Sequence, residues 1–148
     1  MTLVETDPRS PRARALLEQS HALMNSLFPK GACHYLDLDA LAQPHITLWL
    51  TEDAHACGAL ARMNGYGEIK SLFTAPAARG KGHADRLLTN IIDTATTEGL
   101  PLLRLETGTG LDAAHRLYTR HGFTPCDPFG PYTDSPYSIF MEKPLITP

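Results

Sequence analysis

Cysteine is scarce in this sequence and poorly placed for bridging. Cys33, Cys57 and Cys126 are odd in number, far apart and without CxxC spacing. Neither a disulfide framework nor a zinc site is expected, and each reads as a buried thiol. Long apolar runs are missing too, since nothing approaches the roughly 20 residues a membrane span needs. Near the N-terminus, Asp7, Pro8 and Pro11 interrupt the stretch where a secretory signal would be unbroken and apolar; a cytoplasmic location is the expectation. Positive charge is in deficit, with 13 Lys and Arg against 16 Asp and Glu and a net charge of -3. That balance argues against nonspecific nucleic-acid binding. Seven histidines are present, yet the closest pair, His115 and His121, is expected on different faces of a helix. No metal is expected.

What is there suits one globular domain. The chain has 148 residues, 43% apolar and 20% charged, enough for a single core over 1–148. Thr2 to Thr6 reads as a first strand. Ser10-Pro11 is a helix start, with Ser as cap, and Ala13, Leu16, Leu17, Met24 and Leu27 share one helical face. After an irregular segment, with a short helix around Asp39 to Ala42, come strands His45 to Thr51, Cys57 to Met63 and Tyr66 to Thr74. Asn64-Gly65 supplies a hairpin turn between the last two, because both residues tolerate positive φ. From about Gly82, Ala84, Leu87, Leu88, Ile91, Ile92 and Ala95 recur at helical spacing until Gly99 and Pro101 stop them. Leu102 to Glu106 is an apolar strand. Asp112 caps a helix that ends at Gly122, and strands Phe123 to Cys126 and Tyr137 to Lys143 flank a Pro/Gly-rich loop. The order predicts an α/β fold: a mixed, largely antiparallel sheet flanked by helices.

One segment carries chemistry: Glu68 to Thr74, a short loop, then Arg79-Gly80-Lys81-Gly82-His83-Ala84. Glycines at alternate positions open a helix. Backbone N–H groups can approach a guest closely there, the helix N-terminus adds partial positive charge, and Arg79 and Lys81 add full charges. A phosphate or pyrophosphate is the natural guest. A P-loop is excluded because no Lys-Ser or Lys-Thr follows. The dinucleotide fingerprint is excluded because Asp85 stands where a third glycine is required.

The segment resembles the Arg/Gln-x-x-Gly-x-Gly/Ala signature of the GNAT superfamily of N-acetyltransferases, and Ala114 to Phe123 resembles its later Ala-x-x-Leu-Tyr-x-x-x-Gly-Phe motif. Leu111, where relatives often carry Asn, departs from the pattern. The resemblance implies acetyl-CoA as co-substrate. Its pyrophosphate would lie on Arg79, Gly80, Lys81, Gly82, His83 and Ala84, and its pantetheine arm along Leu72, Phe73 and Thr74.

The implied function is acetyl transfer to a primary amine, by direct attack in a ternary complex. The acceptor is expected to be a small molecule such as an amino acid, polyamine or antibiotic-like amine. A protein N-terminal or lysine acetyltransferase, or a silent acetyl-CoA sensor, stays open beside it. A homodimer is a possible assembly; no membrane or nucleic-acid partner is expected. An alkylammonium must lose a proton before it attacks. Glu68 is the candidate base, or else a solvent-facing partner of Lys70; the two-residue strand period sets it on one face with Lys70, Leu72 and Thr74. The family's usual acid for the departing thiolate falls on Tyr118, which also fits the core. Phe28, Tyr35, Tyr132 and Asp134 are the candidate acceptor contacts.

Overall fold

The computed structural model describes residues 2–146. Its elements run β1 (Leu3–Glu5), α1 (Pro11–Leu27), α2 (Leu38–Leu41), β2 (Ile46–Thr51), β3 (Ala56–Arg62), β4 (Gly67–Thr74), a 3-10 turn (Pro76–Ala78), α3 (His83–Thr97), β5 (Leu102–Gly108), α4 (Asp112–Arg120), β6 (Thr124–Pro125) and β7 (Ser138–Pro144). Seven strands form one sheet in the order β1-β2-β3-β4-β5-β7-β6. Every neighbouring pair is antiparallel except β4 with β5.

Both faces of the sheet are covered, so its central strands are buried on both sides. One face packs Trp49, Leu60, Ile69, Leu103 and Leu105 against Leu87, Leu88 and Ile91 of α3 and Leu117 of α4. The other packs Leu48, Leu50, Cys57, Ala59 and Phe73 against Ala13, Leu16 and Leu17 of α1. Close approach at the sheet explains Gly67, where a Cβ would come within 2.8 Å of Leu103 and 2.9 Å of Leu60.

Two departures from regular pairing shape the site. In β4, Cys57 pairs with Phe73 but Ala59 pairs with Lys70, so Gly58 alone opposes Ser71 and Leu72. This is a β-bulge, and Ser71 takes φ +54 to make it. The buried Cys57 thiol donates to the Ser71 carbonyl at 3.2 Å. The bulge overturns the expected alternation, because Leu72 turns onto the α3 face and Phe73 joins the α1 face. Glu68 and Lys70 still share a face. The second departure is a splay: β4 and β5 pair only at Gly67–Leu103 and Glu68–Arg104, and beyond that the two strands part.

Several local expectations are corrected. Ser10 has extended backbone but its side chain makes no capping bond; its Oγ is buried without a partner. Leu27, in the last turn of α1, is exposed and not on the buried face with Ala13, Leu16 and Leu17. Leu111, not Asp112, is the N-cap residue of α4. In the β3–β4 turn Gly65 has positive φ and Asn64 does not. Cys57 is buried, but Cys33 and Cys126 are only half-buried.

Candidate active site

Where β4 and β5 part, a cavity of about 150 Å³ opens. Ser71, Leu72 and Phe73 of the bulge, Glu106 to Gly108 of β5, and Tyr118 of α4 form its walls, and Phe28 with residues 32–35 closes it from the α1 side. The bulge therefore turns backbone and side chains toward the gap instead of pairing them away. The Ser71 hydroxyl on this wall is buried and has no hydrogen-bond partner. At Gly108 the Phe28 ring lies so close that a Cβ would collide with it.

At the far end of β4, the 3-10 turn leads into the glycine loop. Gly80 and Gly82 have φ +80 and +82, and a Cβ at either would meet no atom within 4 Å. The loop backbone thus borders open space at the N-terminus of the 15-residue α3, which suits an anionic guest. Arg79 is held along β4 by a 3.4 Å bond from Nε to the Thr74 carbonyl. Gly82 is the N-cap residue, with His83 and Ala84 opening the helix. His83 is buried with its ring 5.8 Å from that of His55, so it offers the open side its backbone, not its imidazole.

The charged groups form two linked clusters. In the first, Lys70 Nζ donates to the Tyr132 hydroxyl at 2.7 Å, and that hydroxyl donates to Glu68 Oε2 at 2.5 Å. Lys70 and Glu68 are 3.3 Å apart, and both are buried, so Glu68 does not face solvent. Burial and the bonded Glu68 carboxylate push the Tyr132 phenol far above its ordinary pKa. Lys70 also donates to the His34 carbonyl at 3.1 Å, which ties the irregular segment onto β4.

In the second cluster, His34 Nδ1 lies 3.1 Å from Glu106 Oε2, and the Ser138 hydroxyl donates to the same oxygen at 2.8 Å. An ionised carboxylate beside Nδ1 favours the tautomer protonated there, leaving Nε2 as a bare acceptor. Both His34 and Glu106 line the cavity; Glu68 does not. Tyr118 packs edge-on against Phe123 at 5.9 Å between ring centres while reaching the cavity wall. Burial, then the Glu106 charge, pushes its phenol well above its ordinary pKa, so it stays protonated.

The anticipated acceptor contacts divide. Phe28 and Tyr35 line the cavity; Tyr35 stacks on His21 at 4.0 Å. Tyr132 stands behind the wall in the Glu68–Lys70 cluster. Asp134 is exposed on the loop and bonds the Ser135 amide, away from the lining. Sequence reasoning missed His34, Glu106 and Ser71. Glu106 had a readable signal, as a carboxylate in a strand whose Leu102, Leu103 and Leu105 are apolar; His34 had none, since an irregular segment carries no period.

Comparison with known proteins decides the family. Residues 12–123 match the family model described as the acetyltransferase (GNAT) family. The chain belongs to that family. As a GNAT protein it is an acetyl-CoA-dependent N-acetyltransferase. A curated relative, the IAA acetyltransferase of Azospirillum brasilense, is 39% identical over 150 residues, covering 98% of each chain. A crystal structure of a Klebsiella pneumoniae protein assigned to the acyl-CoA N-acyltransferases is 30% identical with TM-score 0.80, covering 98% of this chain and 97% of that one. The fold also matches YncA from Salmonella typhimurium, solved with acetyl-CoA, at TM-score 0.71 and 21% identity, covering 99% and 95%. Among the described residues no helix is long and apolar enough to cross a membrane.

Proposed function

We propose that this GNAT enzyme acetylates the primary amine of a small molecule inside the cavity between β4 and β5. The size of that cavity carries the reading. About 150 Å³ is well below the several hundred Å³ typical of drug-sized ligand sites, and the acetyl end of the co-substrate must share it. A compact amine fits such a space better than a folded protein segment does.

The residues then take the following roles. Gly80, Gly82 and the start of α3 hold the pyrophosphate, with Arg79 and Lys81 adding charge. Ser71, Leu72, Phe73 and Thr74 run beside the pantetheine and acetyl group. Bound there, acetyl-CoA supplies the thioester that the amine attacks. His34 Nε2 takes the ammonium proton, and Glu106 fixes the imidazole's tautomer and balances the charge it gains. Glu68 acts one step back: it holds Tyr132 and Lys70, and Lys70 holds the His34 carbonyl. Tyr118, kept protonated, gives its proton to the departing thiolate.

A thiol-release assay with acetyl-CoA and a panel of amines tests the reading. Small primary amines should drive release faster than peptides presenting an α-amine or a lysine. Release with peptides alone would transfer the assignment to a protein acetyltransferase. No release with any amine, against tight acetyl-CoA binding, would leave a sensor.

A further inference from the structure

Behind the glycine loop, another polar cluster lies outside the cavity between β4 and β5. The β2–β3 turn contributes Asp53 and His55, and the first residue of α3 contributes His83. One ligand atom from each residue lies within 4.8 Å of the other two. Ala54 takes φ +58, a left-handed conformation unusual without glycine, and this tight turn leaves Asp53 and His55 side by side. Their side chains meet at 3.0 Å between Oδ2 and Nδ1.

The carboxylate is also oriented from behind. The buried Thr51 hydroxyl donates to Asp53 Oδ1 at 2.8 Å, and the same Thr51 oxygen accepts the His55 and Ala56 amides at 3.0 and 3.2 Å. Outer hydrogen bonds of this kind fix ligating carboxylates in metal sites. From the other side, the buried His83 ring faces His55 edge-on at 5.8 Å.

We propose that Asp53, His55 and His83 bind one divalent transition-metal ion such as Zn²⁺. Two imidazoles and one carboxylate form a borderline nitrogen and oxygen set, which suits zinc, nickel or copper and disfavours the all-oxygen preference of Mg²⁺ and Ca²⁺. Ligand atoms up to 4.8 Å apart close around such an ion by small side-chain rotations of the two exposed members. The fourth position is left to water. Because His83 follows Gly82 directly, the ion joins the β2–β3 turn to the start of α3, directly beneath the proposed pyrophosphate loop. The site therefore stiffens that loop from below and takes no part in the chemistry. Sequence spacing hid it: His55 and His83 stand 28 positions apart, so no short metal motif exists.

The test is calorimetric titration of chelator-stripped, tag-free full-length protein with ZnCl2, with melting temperature as a parallel readout. One equivalent should bind and raise the melting temperature. His55→Ala, at an exposed position, should keep the fold and weaken Zn²⁺ binding at least tenfold, and Asp53→Asn should do the same. Both variants should lose the thermal shift. Absence of saturable binding in the parent chain would overturn the proposal. So would unchanged affinity in His55→Ala and Asp53→Asn, which would assign the zinc to other side chains such as Cys33 or Cys126.

Discussion

His34 Nδ1 and Glu106 Oε2 stand 3.1 Å apart across 72 residues of sequence, on the wall of the cavity that the splay of β4 and β5 creates. Their meeting depends on Lys70, whose ammonium holds the His34 carbonyl while the Ser138 hydroxyl steadies Glu106. This is the geometry that the proposed base and its orienting carboxylate require.

Glu106→Gln keeps the shape of the side chain and removes its charge. The amide can also donate, so Nδ1 loses its fixed proton and the ring loses its preferred tautomer. Turnover should fall about 10²-fold or more, within the usual range for general-base help, with acetyl-CoA affinity unchanged. His34→Gln should lose rate most at low pH, where neutral amine is scarcest. Glu68→Gln should cost less and leave the shape of the pH profile intact. A profile altered by Glu68→Gln but not by His34→Gln would return the base to Glu68.

Tyr118 and Tyr132 both have phenols whose pKa is raised by burial. In the unfolded chain each ionises near pH 10, while in the folded chain each stays neutral. Their contribution to stability is complete below pH ~10 and is lost as pH climbs above it toward the folded values. Circular dichroism should therefore record a steep fall in melting temperature above pH ~10. In Tyr132→Phe the fall should be shallower. A flat profile to pH ~12 would contradict the burial of these hydroxyls.

Cys57 is a thiol pushed up to about 12 by burial and engaged with the bulge carbonyl of Ser71. A thiol that is not ionised does not react. An aromatic disulfide reagent at pH 8 should therefore label at most two of the three cysteines in the folded chain, and the third only after denaturation. Rapid labelling of all three would mean that the bulge opens readily.

Most of the element order was legible because it rests on local periodicity. Helix α3 shows its apolar stripe from Ala84 to Ala95, and β2 and β3 are written in their apolar runs. The β4 bulge was not legible, because Ser71 at positive φ follows no residue preference; Gly58, packed under Leu72 with a Cβ position only 2.9 Å from its Cδ1, is its one trace. The cradle was legible through Gly80 and Gly82, whose positive φ needs glycine. Glu68 and Lys70 are legible as neighbours on one strand face, but Tyr132, which bonds both, reaches them only through a contact 64 residues long. His34 and Glu106 likewise meet only in three dimensions.

The cradle makes a prediction of its own. Acetyl-CoA should raise the melting temperature, since a ligand bound only by the folded state stabilises it by mass action. Gly82→Val imposes a branched side chain at φ +82, costing roughly 1–2 kcal/mol of conformational strain, and it fills space at the proposed pyrophosphate site. The melting point of the unliganded variant will drop for the first reason alone, so the informative quantity is the ligand-induced shift. That shift should vanish in a folded Gly82→Val protein. Its persistence would remove the phosphate from this loop.

Tyr118→Phe separates packing from chemistry at the other side of the cavity. The ring's edge contact with Phe123 and its place beside Leu117 survive the change, so the fold should hold. Only the hydroxyl leaves. If that hydroxyl protonates the departing thiolate, turnover should fall about 10²–10⁴-fold. Acetyl-CoA affinity should barely move, because the proton is needed in the transition state and not in the bound ground state. The deficit should narrow with an acetyl thioester whose thiol is more acidic, since such a leaving group needs less help. A uniform deficit across donors would point to a positioning effect of the phenol, and full activity would leave Tyr118 as a wall of the core.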